Sequence, residues 1–410
     1  MRTQPDRHTV RASNASIRAR QALQNLGLLR QAASVAELRM AARRRLPRPV
    51  FDFIDGGAED ERTLRANSSG FGRLTFRPRA LVGVSSRSQR TTVLGQDVPS
   101  PLLLAPCGLA RLAHPGGELA AARAAARYGT IFSLSTAASC TIEEVADAAP
   151  GPRWFQLYVW QDRAATRALV ERARIAGYYA LCFTVDVPMS GQRERDLRHG
   201  MTIPPRPAPR SLVHYARHPR WVQKALLGDP ITFRNFVGQA ANDGAVALGT
   251  YVNSQLNPSM SWDDMTWLRE VWSGPLVVKG IMGGSDARKA VDLGADGVIV
   301  SNHGGRQLDG LPSTVSVLPE VVAAVGTHAE VYLDGGVRRG ADVVKAVALG
   351  ARACLVGRPW MYGLAAGGET GVTRLFQIFS SEIDRVMALL GVTDITDLTV
   401  DMVRSAVDAD

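Results

Sequence analysis

The stretch that decides the fold class is PLLLAPCGLARLAHPGGELAAARAAARYGTIFSLST, residues 101–136. Two short apolar runs, 101–106 and 130–136, flank a stretch at 116–129 that has the pattern of an amphipathic helix. Apolar runs without alternation are typical of parallel strands that are covered on both faces. The stretch is therefore predicted to be one strand–helix–strand unit of an α/β protein.

The same alternation of strand and helix patterns continues toward the end of the chain. Further apolar runs lie at 154–159, 180–186, 275–280, 297–303, 331–336 and 354–359. Eight strands with intervening helices predict a closed TIM (β/α)8 barrel and not an open doubly wound sheet. A final helix at 373–391 is expected to close this barrel.

A long insertion is predicted after the fourth strand. The ends of the fourth and fifth strand patterns, Asp186 and Gly280, are 94 residues apart, whereas other successive strand ends are 23 to 33 residues apart. We place the inserted loop at residues 190–260. It follows the carboxyl end of a strand, which is the face where barrel enzymes carry their chemistry.

Positive charge is concentrated in two segments of this 410-residue chain, whose formal net charge is +10. Residues 1–48 contain eleven arginines against two acidic residues, and residues 197–236 contain seven cations against Asp229. The rest of the chain is net acidic, so the overall charge says little about the barrel. We expect residues 1–33 to be a disordered basic arm and residues 34–410 to be the barrel domain.

The sequence also disfavours several classes of protein. No apolar run approaches the roughly 20 residues of a membrane span, and the arm lacks the apolar core of a secretory signal. Organellar targeting by the arginine-rich arm stays open. The four cysteines are far apart and no H-E-x-x-H motif is present, so we expect neither a disulfide framework nor a metal site, and a cytoplasmic location.

Polar side chains follow the apolar part of most predicted strands. They are Ser135, Gln156, Tyr158, Thr184, Asp186, Lys279, Ser301, His303, Asp334 and Arg358. In a closed barrel these strand ends share one rim. Because buried polar groups cost free energy unless they are paired, a rim of this kind predicts a ligand site.

Glycine-rich turns after the last two strands predict a phosphate site. DGGVRRG at 334–340 leads into a helix, and GRP at 357–359 follows the eighth strand. Such turns let backbone N–H groups and a helix N-terminus approach a phosphate, and Arg338 and Arg358 would add charge. No G-x-G-x-x-G motif follows a strand and no P-loop is present, which disfavours nicotinamide and P-loop nucleotide sites.

SNHGGRQLDG at 301–310 is the most distinctive stretch of the chain. His303 can act as a base near neutral pH, and Arg306 has the fork geometry that binds a carboxylate. The residues alone thus predict a base, a carboxylate site and a phosphate site at one rim. They do not by themselves predict a flavin.

These motifs resemble those of the FMN-dependent L-2-hydroxy acid dehydrogenases and oxidases. The resemblance extends over about residues 34–400 and includes FDFIDGGAEDERTLRAN at 51–67, GQRERDLRHG at 191–200 and LDGGVRRGADVVKAVALGA at 333–351. It implies the barrel predicted above, FMN as the cofactor, and a small 2-hydroxy acid as the substrate. An enzyme of the L-lactate or mandelate dehydrogenase type is expected.

The resemblance also implies roles for individual residues. His303 would take a proton from the substrate with Asp186 as its carboxylate partner, and the charge of Lys279 would lie near the flavin N1 and O2 atoms. The substrate would contact Phe53, Tyr158, Arg193, His303 and Arg306. The cofactor would contact Pro106, Cys107, Gly108, Ser135, Gln156, Thr184, Lys279, Ser301, Asp334, Gly335, Gly336, Arg338, Gly357 and Arg358.

Three positions depart from parts of the family pattern. Phe53 stands where the family usually has a substrate-binding tyrosine, and Ala137 stands where glycolate oxidase-like members have tryptophan. Gly108 resembles the residue of mandelate dehydrogenase at a position where oxidases often have alanine. The missing tyrosine hydroxyl predicts weaker binding of a small acid or a different substrate, and Ala137 leaves room for a larger side chain. Gly108 favours a dehydrogenase that passes electrons to a quinone or another carrier. An oxidase that uses O₂ and a specialised or non-catalytic flavoprotein are the alternatives.

Two interpretations of the basic segment 197–236 stay open. It is either a mobile solvated loop beside the active site or a peripheral membrane-docking segment, because basic segments with apolar residues attach to anionic surfaces. Its apolar residues include Trp221, Leu226, Leu227, Phe233 and Phe236. The resemblance implies membrane association and a homo-tetramer. No nucleic-acid partner is expected, because neither basic region carries a nucleic-acid-binding motif.

Overall fold

The computed structural model describes residues 31–201, 208–229, 231–236 and 255–405. Eight parallel strands form a closed barrel, which confirms the predicted fold class. They are β1 (Leu102–Leu104), β2 (Phe132–Ser135), β3 (Arg153–Leu157), β4 (Ala180–Thr184), β5 (Leu276–Ile281), β6 (Gly297–Val300), β7 (Glu330–Asp334) and β8 (Ala353–Val356). The barrel closes where Leu355 of β8 lies opposite Leu103 of β1, so the sheet has no free edge.

Both faces of the barrel strands are covered, which explains their continuous apolar sequences. Every residue of β1 and β4 is buried. Inside the barrel, the rings of Trp154 and Tyr332 meet edge to face at 5.5 Å. The hairpin formed by Thr91–Val93 and Gln96–Val98 packs Val93 and Val98 against the same interior cluster. This hairpin therefore seals one end of the barrel.

Three helices precede the barrel and another three alternate with its first strands. Ser34 begins the first helix, because its hydroxyl accepts a hydrogen bond from the backbone N–H of Glu37 at 3.3 Å. A capping box formed by Thr141 and Glu144 begins the fifth helix. The six helices are α1 (Val35–Arg45), α2 (Arg48–Asp55), α3 (Arg62–Gly72), α4 (Gly117–Tyr128), α5 (Ile142–Ala148) and α6 (Arg163–Ile175).

The insertion follows β4, as predicted, and its described part is helical. It contains α7 (Glu194–His199), α8 (Pro209–Ala216) and α9 (Pro219–Leu227), and α10 (Trp262–Val271) leads back to β5. The predicted arm, apart from residues 31–33, lies outside the described residues. So do residues 202–207, 230, 237–254 and 406–410.

The second half of the barrel is covered by α11 (Gly284–Asp292), α12 (Thr314–Val325), α13 (Gly340–Ala348) and α14 (Arg358–Leu390). The last helix begins earlier than the prediction of 373–391, and it is interrupted at Gly367 and Gly368. Gly368 has φ of +60°, and a Cβ atom there would lie 2.8 Å from Cε1 of His114. The interruption therefore gives the His114 ring the space it occupies. No helix in the described ranges is long and apolar enough to cross a membrane.

Candidate active site

Side chains that face the barrel interior change from apolar to polar toward the carboxyl ends of β3, β4 and β5. Inward positions are two residues apart, because successive side chains of a strand point to opposite faces. On β3 the buried Trp154 is followed by Gln156, and on β4 Cys182 is followed by Thr184. On β5 Val277 is followed by Lys279. The polar rim expected from the sequence therefore consists of the inward-facing positions that follow the apolar core residues on the same strands.

One cavity at this rim collects eighteen of the twenty predicted site residues. Asp186 and Ser301 are the two that do not line it. They lie behind the lining and hold His303 and Lys279. The eighteen lining residues are Phe53, Pro106, Cys107, Gly108, Ser135, Gln156, Tyr158, Thr184, Arg193, Lys279, His303, Arg306, Asp334, Gly335, Gly336, Arg338, Gly357 and Arg358.

His303 is held by a buried carboxylate. Its Nδ1 atom lies 3.0 Å from Oδ1 of Asp186. Burial acts to raise the pKa of Asp186, but the neighbouring His303 and Lys279 outweigh burial and lower it. An ionised carboxylate only accepts hydrogen bonds, so Nδ1 of His303 is the donor. The lone pair of neutral His303 is therefore on Nε2, where it can take a proton.

The backbone at His303 is in an unusual conformation. Its φ is +57°, and Gly304 and Gly305 follow with φ of +65° and +71°. A left-handed conformation is uncommon for residues other than glycine, and such outliers cluster at functional sites. The backbone N–H of His303 donates to the Ser301 hydroxyl at 3.1 Å, which helps to hold this turn.

Arg306 places a half-buried positive charge in the cavity beside Phe53. Its Nη1 donates to the carbonyl oxygens of Phe53 at 2.8 Å and Gly56 at 2.9 Å. The Phe53 ring also has the guanidinium groups of Arg306 and Arg193 at 5.4 Å and 5.9 Å from its centroid. Burial, together with the charges of Arg193 and Arg358, lowers the pKa of Arg306 to about 9. A bound anion would offset this repulsion between cations.

Tyr158 supplies a neutral hydroxyl to the same cavity. Burial and the negative charge of Asp186 raise the pKa of this phenol above its ordinary value. Tyr158 therefore stays protonated and can donate a hydrogen bond to an oxygen atom of a ligand. Its ring lies 5.8 Å from that of Trp160, which is a second aromatic wall of the cavity.

Lys279 is a buried cation with two partners. Its Nζ donates to the Ser301 hydroxyl at 2.7 Å and pairs with Oδ2 of Asp334 at 2.9 Å. Burial acts to lower the pKa of Lys279, but the charges of Asp334 and Asp186 outweigh burial and raise it. Lys279 is therefore charged throughout the physiological pH range. Ser301 accepts from both Lys279 and His303, so it fixes their relative positions.

A hydrogen-bonded wall continues around the rim from Lys279, because Thr184 of β4 is paired in register with Lys279 of β5. The Gln156 amide donates to the Thr184 hydroxyl at 3.0 Å and accepts from the Ser135 hydroxyl at 3.1 Å. The Ser135 hydroxyl in turn accepts from the backbone N–H of Ala137 at 3.1 Å. These groups are buried and hold one another in fixed rotamers, which makes them a preformed edge for a polar planar ligand.

Comparison with known proteins identifies the family. The sequence profile of the FMN-dependent dehydrogenases matches residues 42–405. The chain is 46% identical to L-lactate oxidase of Nostoc sp. over 88% of this chain and 95% of the relative. It is 42% identical to glycolate oxidase 3 of Oryza sativa over 89% of this chain and 94% of the relative. The protein belongs to the FMN-dependent dehydrogenase family.

A solved structure agrees with this family assignment. The crystal structure of the monotopic membrane protein (S)-mandelate dehydrogenase matches with a TM-score of 0.88 and 40% sequence identity. The match covers 92% of this chain and 100% of that one. This FMN-dependent dehydrogenase is therefore an oxidoreductase whose fold is shared with enzymes of known structure.

The residues at one end of the cavity fit the ribityl and phosphate groups of FMN. Asp334 is buried, and its Oδ1 has no hydrogen-bond partner within the described ranges, so it can accept from a ribityl hydroxyl. Gly335 and Gly336 have φ of +89° and +83°, and a Cβ atom at Gly336 would clash with the carbonyl oxygen of Asn67, so this tightly packed turn requires glycine. The turn leads to the N-terminus of α13, and Arg338 lines the cavity beside it. These features suit a phosphate.

Arg358 has a different arrangement from the simple phosphate contact that the sequence predicts. Its Nη1 and Nη2 donate to the carbonyl oxygens of Gly304 at 2.8 Å and Gly56 at 2.7 Å. Only Nε is buried without a partner in the described structure. The guanidinium therefore supports the turn at His303. Because Nη1 and Nη2 are already hydrogen-bonded, Arg358 contributes its positive charge to the phosphate end and not a bidentate pair of N–H donors.

Sequence reasoning missed several residues of the site. Trp160, Phe233 and Leu256 line the cavity, and no motif had assigned them to it. Gln307 fastens the loop after β4, because its amide donates to the carbonyl oxygens of Asp186 at 3.2 Å and Met189 at 2.9 Å. Gln307 lies inside the distinctive stretch 301–310, which was the one available signal. The described residues contain no cluster of metal-ligating side chains.

Proposed function

We propose that this protein oxidises a small L-2-hydroxy acid to the 2-oxo acid with FMN as cofactor and passes the electrons to a quinone or another carrier. The observation that carries the proposal is the arrangement of His303, paired with Asp186, beside two arginines in one cavity. Two relatives and one structural neighbour are named for lactate, glycolate and mandelate, which are all 2-hydroxy acids. This shared chemistry supports the substrate class.

The proposed roles follow from the charge of each group. Arg306 and Arg193 bind the substrate carboxylate, which removes part of their mutual repulsion. The hydroxyl of Tyr158 donates to the substrate oxygen. Nε2 of His303 takes a proton from the substrate, and the ionised Asp186 stabilises the imidazolium that results. Hydride transfer and a carbanion path both use these same residues.

The bound FMN supplies the acceptor for the electron pair that leaves the substrate. Asp334, Arg338 and the glycines at 335 and 336 would hold its ribityl and phosphate groups. Lys279 would place a permanent positive charge beside the ring, where reduction adds negative charge. The neighbouring wall of Ser135, Gln156 and Thr184 would supply further polar contacts to the ring.

The side of the cavity that would receive the substrate side chain is apolar. Ala137, Trp160, Phe233 and Leu256 line it. Ala137 leaves more space than a large aromatic residue would. We therefore expect a substrate with an apolar side chain rather than glycolate, whose side chain is a hydrogen atom.

The electron acceptor separates two candidate functions. A carrier is favoured by Gly108, which resembles the residue of mandelate dehydrogenase. A Cβ atom at Gly108 would lie 2.8 Å from the carbonyl oxygen of Ala137, so alanine does not fit there without a shift. The oxidase alternative is favoured by the similarity to L-lactate oxidase of Nostoc sp.. Hydrogen peroxide formation during turnover in air distinguishes the two.

We further propose that α8 and α9 dock peripherally on an anionic membrane surface. Leu212, Val213, Leu226 and Leu227 are more than half exposed on these helices, next to Arg217 and Lys224. Two aromatic residues of the basic segment face inward. Phe233 is buried and lines the cavity, and the Trp221 indole donates to the Leu112 carbonyl at 2.9 Å. A homo-tetramer stays a prediction for size-exclusion chromatography.

The decisive experiment is anaerobic reduction of the purified holoenzyme. Its flavin absorbance near 450 nm should bleach with L-lactate or (S)-mandelate and stay unchanged with the opposite enantiomers. Absence of bleaching by any L-2-hydroxy acid would overturn the function and favour the non-catalytic alternative. Bleaching combined with rapid reoxidation by air and peroxide release would replace the dehydrogenase by the oxidase.

A further inference from the structure

A second cavity, of about 980 Å³, lies between α1, α9 and the interruption in α14. It is separate from the flavin cavity, since the two share no lining residue. Its described lining is strongly basic. The cations are Arg44, Arg45, Arg111, Arg217, Arg220 and Lys224, and the only acidic residues among the described lining are Glu37 and Asp229.

Arg111 is the most deeply buried of these cations. Its side chain is 5% exposed, and Nη2 pairs with Asp229 at 2.8 Å. Asp229 is itself 67% exposed, so water screens its charge and it stabilises the buried guanidinium only weakly. Nε and Nη1 of Arg111 are buried without a hydrogen-bond partner in the described structure. The charge of Arg111 is therefore incompletely compensated.

The neighbouring residues show that the cavity has a positive electrostatic potential. Burial, together with the charges of Lys224 and Arg45, lowers the pKa of His114 to about 4. Neutral His114 accepts from the backbone N–H of Gly116 at Nδ1, with a separation of 3.0 Å, so its Nε2 carries the hydrogen. His114 thus adds another donor to the lining. Burial also lowers the pKa of Arg45.

Part of the cavity wall is apolar. Met40 and Leu46 of the α1 side and Trp221 and Ile231 of the insertion line it. The hydrogen bond from Trp221 to Leu112 fixes the indole in place. The volume lies at the upper end of the range for small-molecule sites, which is about 300 to 1,000 Å³. The cavity therefore has room for an organic body as well as an anionic group.

We propose that this cavity binds the phosphate group of an organic phosphate ester. Phosphate is matched by a cluster of guanidinium and ammonium donors, and its charge would offset that of Arg111. The arm that precedes Ala32 is a poor occupant, because residues 1–30 contain six arginines against Asp6. Leu226 and Leu227 are exposed close to Lys224 along α9, so the ester is either a phospholipid headgroup or a free phosphate ester.

The test uses the full-length holoenzyme and isothermal titration calorimetry with inorganic phosphate and with glycerol 3-phosphate. The variant Arg45→Gln/Lys224→Gln removes two cavity charges. The control Arg73→Gln/Arg90→Gln removes two exposed charges elsewhere. We expect binding at least about tenfold weaker in the cavity variant and unchanged in the control, with no change in the flavin absorbance spectrum. Equal affinity in both variants, or no binding at millimolar ligand, overturns the proposal.

Two additions keep the test decisive. Thermal unfolding shows whether the cavity variant is folded, and Arg111→Lys, which keeps the charge but loses the fork, should also weaken binding. Vesicles of phosphatidylglycerol, with phosphatidylcholine as reference, identify the source. Vesicle binding that glycerol 3-phosphate displaces supports a lipid headgroup, whereas calorimetric binding of the free ester without such displacement supports a soluble ligand.

Discussion

Oδ1 of Asp186 lies 3.0 Å from Nδ1 of His303, and this contact directs Nε2 of the imidazole toward the cavity. Asp186→Asn should lower kcat by about 10²- to 10⁴-fold, because an amide can stabilise the wrong tautomer and cannot stabilise the imidazolium. The rate of anaerobic flavin reduction in a stopped-flow instrument measures this effect. The matched control is Asp229→Asn, whose carboxylate is outside the flavin cavity. A rate within twofold of the wild type would contradict the role of Asp186.

Lys279→Met should reduce both stability and cofactor affinity. It leaves Asp334 buried without its cation, and breaking a buried pair from one side costs about 3–5 kcal/mol. Denaturant unfolding and FMN titration of the apoprotein measure the two effects. In the wild type, charged Lys279 stabilises the pair at neutral pH, and because its pKa is raised this contribution is lost as pH rises through that high pKa. Unaltered stability of Lys279→Met at pH 7 would refute this account.

Substrate affinity should fall at high pH. Free Arg306 has a pKa of about 9, and only its charged form binds a carboxylate well. The inhibition constant of a 2-oxo acid should therefore rise toward tenfold per pH unit above about 9, and should be constant at neutral pH. Arg306→Lys should move the break to lower pH, because an ammonium group has a lower ordinary pKa. An inhibition constant independent of pH up to 10 would exclude this titration.

Phe53→Tyr should lower KM with little change in kcat. The added hydroxyl would donate to the substrate carboxylate, and a hydrogen bond to a charged group contributes about 1.5–3 kcal/mol, or at least tenfold in affinity. Phe53→Leu is the companion variant. It removes the ring that lies against Arg306 and Arg193 and should raise KM. Steady-state kinetics on the true substrate decide the matter, and an identical KM in Phe53→Tyr argues against a carboxylate beside this ring.

Membrane docking should depend on the exposed leucines of α9. Leu226→Gln/Leu227→Gln should weaken binding to phosphatidylglycerol vesicles by tenfold or more, since burial of each leucine contributes about 1.5–3 kcal/mol. Ile175→Gln/Leu389→Gln changes two similarly exposed residues and serves as the control. Flavin content and turnover should be equal in both variants. Cosedimentation with vesicles provides the measurement, and an equal loss in both variants would remove α9 from the docking surface.

The barrel could be predicted from the sequence because both faces of its strands are covered by other parts of the protein. Each strand therefore reads as a short apolar run, and the interval after 180–186 locates the insertion. The polar residues of the rim follow from the same regularity, since Gln156, Thr184 and Lys279 occupy the inward positions that continue those of the core. Identification of the flavin needed the family resemblance.

Other parts of the site depend on loops whose paths have no periodic signal. Phe233 is far along the chain from the strand ends and reaches the cavity only because the insertion folds back. Asp186 and Ser301 have the polarity of lining residues, yet they stand behind His303 and Lys279. Contact with a ligand and support of a neighbour require the same residue types, so composition alone does not separate them.

The carbonyl oxygen of Gly56, at the end of α2, accepts from Arg306 at 2.9 Å and from Arg358 at 2.7 Å. One backbone atom thus connects the guanidinium assigned to the substrate with the one at the phosphate end. A ligand that draws one arginine away from the Gly56 carbonyl oxygen changes the hydrogen bond that this oxygen makes with the other arginine. Thermodynamic linkage then requires that cofactor occupancy change the affinity for the hydroxy acid, and that the acid change cofactor retention by the same factor.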